Sequence, residues 1–191
     1  MGATQQDGAG PLGRWRQQRA AREARRAAAQ QLYAALVQLA RRPHLYSRLG
    51  VPDDLDGRFE MVALHAALVM RRLAAGGPAA VALGQALFDL MFADIDRSLR
   101  ELGVGDLSIG KRVKAIAATF LARARALEEA LAAGDELALI AILERNVAAG
   151  GGGPDPAQRA ALAREVITLD RALAAAPLGE LLAGRLPASA R

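Results

Sequence analysis

The chain has 191 residues, 52% of them hydrophobic but only 4% aromatic, with 25 Lys and Arg against 20 Asp and Glu. That length suits one domain with a sizeable core and is short for two. The absence of Cys excludes disulfides, thiolate zinc sites and a cysteine nucleophile, and two His residues, His44 and His65, are too few for a His-rich metal centre.

Apolar mass carried by Ala and Leu, with few aromatic residues, predicts helices. The fold class expected is all-α: a single-domain helical bundle of five to six helices with a basic N-terminal helical arm. The basic excess is local. Residues 1–30 hold Arg14, Arg16, Arg19, Arg22, Arg25 and Arg26 against Asp7 and Glu23, a net +4 of the chain's +5, so 31–191 are nearly neutral. A nucleic-acid binder needs a clustered basic face on its docking domain, so no specific nucleic acid is expected. Arg outnumbers Lys 23 to 2, which with abundant Ala and Gly points to a GC-rich bacterial coding sequence.

Residues 1–13 hold four Gly and a Pro and read as disordered. From 14 to 42 there is neither Gly nor Pro, and Leu32, Leu36 and Leu39 beside Tyr33, Val37 and Ala40 recur at helical spacing. The C-terminal half of this helix is core-facing; its N-terminal half sets Ala opposite an Arg stripe and projects into solvent or lies on a surface. Pro43 ends it, and Pro52 with Asp53, Asp54 and Asp56 marks the next connection, where one Asp caps the helix that follows.

That second helix, 58–75, carries Phe59, Val62, Ala66, Val69 and Leu73 on one stripe and Met61, Leu64 and Leu68 on its neighbour. An apolar surface this wide predicts a central position. Pro78 suits the first turn of a third helix, 78–102, which Gly103-Val104-Gly105-Asp106 breaks. A fourth, 109–133, runs through Val113, Ile116, Phe120 and Leu127 to a Gly134 C-cap, and a fifth begins at Asp135. Gly and Pro at 150–156 read as a linker, and Leu162, Val166, Leu169 and Leu173 outline one more amphipathic helix before a poorly specified tail.

The organisation expected is therefore a flexible basic arm at 1–30, a helical body at 31–149, the linker at 150–156, and a C-terminal helix and tail at 157–191. No segment reads as membrane-spanning: the uncharged stretch 73–88 is broken by Gly76-Gly77-Pro78 and falls short of the ~20 apolar residues a bilayer needs. The N-terminus also lacks the apolar core of an export signal.

Gly105-Asp106-Leu107-Ser108-Ile109-Gly110-Lys111-Arg112 nearly matches a phosphate-binding loop. Such a loop follows a strand and ends on a hydroxyl that holds magnesium. Here a helix precedes it and Arg112 takes the hydroxyl's place, so a Gly-rich corner between helices is the better reading. Lys111, Arg112 and Lys114 at a helix start oppose the helix dipole, which leaves two explanations: neutralising acids from the third helix, or an anionic partner.

The acids exist: Asp89, Asp94, Asp96 and Glu101 accompany Arg97 and Arg100. Asp94 falls on the side of Leu87, Met91 and Ile95, where an unpaired carboxylate is costly, so a structural ion pair is expected for it. His65 is expected as a hydrogen-bonded core residue. Trp15, Arg19, Arg22 and Arg26 share one face of the arm, a pattern suited to an anionic membrane surface, to nucleic-acid phosphates or simply to water. No catalytic, metal or cofactor constellation emerges, and none is expected.

Several ordered blocks then combine. Leu32-Tyr33 to Ala40-Arg41, Pro43 and Tyr46 are followed by Gly50-Val51-Pro52-Asp53 and Leu55-Asp56-Gly57-Arg58-Phe59-Glu60-Met61, with Leu64-His65 and Arg71-Arg72 beyond. Gln85-Ala86-Leu87-Phe88-Asp89, Met91-Phe92-Ala93-Asp94-Ile95-Asp96-Arg97-Ser98-Leu99-Arg100-Glu101, Gly103-Val104-Gly105-Asp106, Gly110-Lys111-Arg112-Val113-Lys114, Leu143 and Arg145-Asn146 continue the series. Over roughly 31–149 this resembles the ubiquinol-cytochrome c chaperone family.

The resemblance implies a non-catalytic assembly factor that binds newly synthesised cytochrome b before it matures into respiratory complex III. It implies a soluble, membrane-associated protein with a second assembly factor as a candidate further partner; together with the bacterial composition the location expected is the cytoplasm, peripheral to the inner membrane, or the mitochondrion in a eukaryote. The arm, the linker and the last helix inherit nothing from it. Candidates for client contact are the turn with Asp53, Asp56, Arg58 and Glu60, the third-helix charges Asp94, Asp96, Arg97 and Arg100, and the corner with Gly103, Gly105, Asp106, Lys111, Arg112 and Lys114. The residues alone leave two rivals. One is a helical ligand-binding or regulatory protein whose basic arm contacts nucleic acid; the other is an enzyme using Asp94 and His65.

Overall fold

The computed structural model describes residues 10–103, 105–147 and 153–188. Among them there is no strand, and the helices follow in the order α1 (Pro11–Ala40), α2 (Pro43–Ser47), α3 (Leu55–Ala74), α4 (Pro78–Glu101), α5 (Asp106–Ala133), α6 (Glu136–Val147), α7 (Pro156–Ala175) and α8 (Leu178–Leu182). The all-α class is as expected. The element count is higher, because the five-residue α2 and α8 join six long helices. Neither short helix spans two full turns, so neither leaves a periodic pattern to read; Pro43 opens α2 and Pro177 precedes α8.

Two boundaries shift. With Pro11 in its first turn, α1 already includes residues 11–13, which the Gly content had suggested were disordered. The expectation for 1–9 and for the linker glycines 150–152 lies outside the described residues. α5 starts at Asp106, three residues early, and this moves Lys111, Arg112 and Lys114 beyond the first turn, where the free amide groups are.

α3 is the centre of the bundle. Met61, Ala63, His65, Ala66, Ala67, Leu68, Val69 and Leu73 are buried along it, and α1, α4, α5, α6 and α7 all pack against it. Leu32 and Leu36 of α1, Leu83 and Leu87 of α4, and Leu139 and Leu143 of α6 complete one continuous core of fully buried side chains, each contributing ~1.5–3 kcal/mol of apolar burial. α3 is launched by Asp54, whose carboxylate accepts from the Gly57 amide at 2.8 Å. Gly57 is required there by close approach, since a Cβ would strike the Pro52 carbonyl oxygen. Gly134 closes α5 in the left-handed conformation at φ 66°, as its sequence position predicted.

α4 is long and apolar enough, by length and composition, to cross a membrane, which differs from the expectation that no segment would be. In the bundle it packs on α1, α3, α5 and α8. Phe88 and Phe92, with ring centroids 4.5 Å apart, meet Phe120 of α5 at 6.0 and 5.9 Å.

α7 shares the core through Leu162, Ala163, Val166 and Leu173. Polar contacts fix its middle and its C-terminal half. His44 Nε2 lies 2.8 Å from Glu165 Oε1, and Arg71 Nη1 lies 2.6 Å from Asp170 Oδ1. Arg72 donates to the Leu173 and Ala176 carbonyls at 2.9 and 3.1 Å, filling acceptors that the C-terminus of α7 leaves open.

His65 is a core residue hydrogen-bonded through Nδ1 to the Met61 carbonyl at 2.7 Å. Burial disfavours the charged ring and holds its pKa below the usual 6.5. The unfolded chain therefore takes up a proton that the folded chain refuses, so the stability His65 contributes is complete above about pH 6.5 and is lost as pH falls through the folded value. The thermal midpoint is expected to drop more steeply from pH 7 to pH 5 in the parent chain than in His65→Gln, and parallel curves would rule this out.

Candidate functional site

An open groove of about 940 Å³ runs along one side of the bundle between α1, α3, α4, α5 and α6. Its walls are mostly apolar: Val37 from α1, Phe59 and Val62 from α3, Ile95 from α4, and Ile116 and Phe120 from α5. α3 supplies the floor because it has more apolar circumference than its neighbours cover, and Phe59 and Val62 are left half-buried. At the two Gly-rich and Asp-rich connections the groove keeps leucines in water: Leu55 is 68% exposed and Leu102 65% exposed.

Charge on the lining is balanced, with Arg41, Arg58 and Arg123 against Asp56, Glu60 and Asp94. Arg123 of α5 donates to the Glu60 carboxylate of α3, bridging the floor to one wall. Burial pushes the Glu60 carboxyl up, against the opposing pull of the Arg123 hydrogen bond. Tyr33 of α1 donates its hydroxyl to Asp94 Oδ2 of α4 at 2.9 Å, and Arg97 lies 3.5 Å from Asp94 Oδ1. Burial first, and that hydrogen bond second, raise the Tyr33 phenol well above its ordinary value. Asp94 thus has the partner its position demanded, with a tyrosine as the closer contact and the arginine farther off.

Of the sequence-derived contact candidates, Asp56, Arg58, Glu60 and Asp94 line the groove. Asp53 accepts from Arg58 at 2.7 Å, beside a smaller depression of about 620 Å³ that Tyr46 and Arg41 also line. The Arg58 guanidinium holds the Asp53 carboxyl below its usual range. Asp96 is spent on Arg100 within α4 at 2.8 Å, and Asp89 on Gln85 at 2.8 Å. Arg97, Gly103, Gly105, Lys111, Arg112 and Lys114 are exposed and do not line the groove, and Asp106 opens α5. The acids of α4 do not neutralise Lys111, Arg112 and Lys114, which form no ion pair among the described residues. The resemblance to a phosphate-binding loop also fails, because a helix, not a strand, leads into Gly105.

Trp15, Arg19, Arg22 and Arg26 stand exposed on the projecting half of α1, far along the chain from the groove wall. What the sequence did not mark is the apolar lining itself. Its signal was present as surplus: two adjacent apolar stripes on α3 and an exposed Leu at each neighbouring turn. Among the described residues no group of three or more potential metal-ligating side chains comes together.

Replacing Arg123 by Met is expected to cost roughly 1–3 kcal/mol of unfolding free energy at pH 7, because the Glu60 carboxylate then sits partly buried without its donor. Protonation relieves that charge, so the loss shrinks as pH falls through the raised Glu60 value, and Glu60→Gln in the same chain recovers part of it. Urea titrations at pH 7 and pH 5 read both effects.

Residues 47–188 match the family model described as Ubiquinol-cytochrome C chaperone. Among solved structures, the chain is similar to the crystal structure of the Cbp3 homolog from Brucella abortus, at 35% identity and a TM-score of 0.79, covering 92% of this chain and 94% of that one. No curated protein matches. The family match runs through α7 and into the residues after α8, farther than the blocks recognised in the sequence, and begins after α1. On a matched segment of that extent and a fold shared along nearly the whole length, the chain belongs to the ubiquinol-cytochrome c chaperone family.

Proposed function

We propose that this protein is an assembly chaperone for cytochrome b in the biogenesis of the ubiquinol-cytochrome c reductase complex, complex III, and that its groove shelters an apolar segment of the newly synthesised client. The observation that carries the reading is the groove: apolar walls from five helices, a balanced lining and two leucines held in water at its connections. An unassembled membrane protein exposes apolar surface, and a preformed apolar groove covers such a segment without chemistry. The reading is one of binding and release, and it places the protein at the periphery of the inner membrane. A second assembly factor belongs to the same reading.

The basic corner fits as an extension of the groove. Arg112 lies one turn before the groove-lining Ile116 on α5, and Lys111 one turn before Ala115. Exposed and without ion pairs among the described residues, these cations are available to an acidic loop of the client or to lipid phosphate.

Leu55→Glu with Leu102→Glu is expected to lower co-purification of cytochrome b by roughly tenfold or more, since full burial of even one leucine side chain is worth ~1.5 kcal/mol or more. Both sites are surface positions, so the thermal midpoint should hold. Leu137→Glu, at a site 79% exposed and away from the groove, serves as the control and should leave capture intact. Undiminished capture by the double variant would remove the groove from the mechanism. Separately, Lys111→Glu with Arg112→Glu should reduce cytochrome b accumulation while helicity and thermal midpoint stay unchanged; normal accumulation would dismiss the corner.

A further inference from the structure

We propose that the projecting half of α1 docks lengthwise on an anionic lipid surface, with Leu12 and Trp15 seated among the headgroups and Arg19, Arg22 and Arg26 over lipid phosphates. This segment lies outside the family match, which begins at residue 47.

No residue from 12 to 27 is buried, so this stretch of helix adds no side chain to the core. It nevertheless keeps two large apolar side chains in water, Leu12 at 78% and Trp15 at 57% exposed. The start of α1 at Pro11 puts Leu12 on the helix, one turn before Trp15 and on the same side. Continuing at spacings of three and four, Arg19, Arg22 and Arg26 occupy that side as well. Arg19 stacks over the Trp15 ring at 5.8 Å and pairs with Glu23 at 2.9 Å, whereas Arg22 and Arg26 form no ion pair among the described residues.

Phosphates of RNA would satisfy the arginines but leave Leu12 without a purpose. A bilayer interface covers the leucine, the indole and the guanidinium groups together. The direction of the stripe adds to this. Trp15 and Tyr33 are eighteen residues apart, five turns at 3.6 residues each, so they lie on one side of the helix. Tyr33, Val37 and Arg41 line the groove. An arm lying on lipid by its Trp15 side therefore turns the α1 wall of the groove toward the bilayer. Docking itself does not rest on the groove reading, and a vesicle experiment without client tests it separately.

Trp15 is the only Trp in the chain, so intrinsic emission of the full-length protein reports on the arm alone. Titration with vesicles of phosphatidylcholine and phosphatidylglycerol is expected to shift that emission to the blue, with quenching by brominated acyl chains and reversal by salt. Arg22→Glu with Arg26→Glu should weaken partitioning by roughly tenfold or more, and Leu12→Ser should diminish the shift, both at unchanged helicity and thermal midpoint. Three results would overturn the proposal: emission that does not move on anionic vesicles, an equal shift on pure phosphatidylcholine, or tighter retention on an RNA duplex than on the vesicles, abolished by the double charge reversal.

Discussion

A helix that is apolar on nearly every side has to be enclosed, and α3 imposes that requirement on the rest of this bundle. Five helices gather around it. Much of the packing surface is Ala, which lets backbones approach but fills little volume. The enclosure is tight where Leu32, Leu36, Leu83 and Leu87 meet α3 and stops short over Phe59 and Val62, which remain half-buried. The groove is the part of α3 that its neighbours leave uncovered, so the feature proposed to hold a client has the same origin as the fold.

Charges divide by purpose. Arg19–Glu23, Asp96–Arg100 and Arg125–Glu129 are exposed pairs one turn apart, of the kind that solvent screening leaves with little effect on stability. The contacts that set geometry join separate helices: Arg71 with Asp170, Arg123 with Glu60, Tyr33 with Asp94 and His44 with Glu165. Two of these cross the groove or its floor and two hold α7. Beside these, the arm and the corner after Gly105 each carry a cluster of cations with no ion pair among the described residues, Arg22 and Arg26 on the one and Lys111, Arg112 and Lys114 on the other.

Much of this was legible in the residues. Ala and Leu with few aromatics pointed to helices, Pro78 and Gly134 marked ends correctly, and the wide apolar surface of α3 announced its centrality. His65 met its expected partner in the Met61 carbonyl. What escaped was whatever depended on more than one helix. Periodicity locates the inward side of each element but cannot say that five inward sides fail to close, so four rim charges were recognised as candidates while Ile116 and Ile95 were read simply as core. The two shortest helices and the start of α1 were missed for a local reason: Gly and Pro mark a boundary, and at Pro11 that boundary opened a helix earlier than composition suggested.

The fastening of α7 by polar contacts bears on the order in which the molecule is made. Glu165, Asp170 and the carbonyls of Leu173 and Ala176 come from the final fifth of the chain, yet they answer His44, Arg71 and Arg72 from its first half. Until α7 has emerged from the ribosome, a strip of α3 and α6 has no covering and two arginines lack their acceptors. A protein proposed to protect unfinished chains thus passes through an unfinished state of its own, and only its last long helix brings that state to an end.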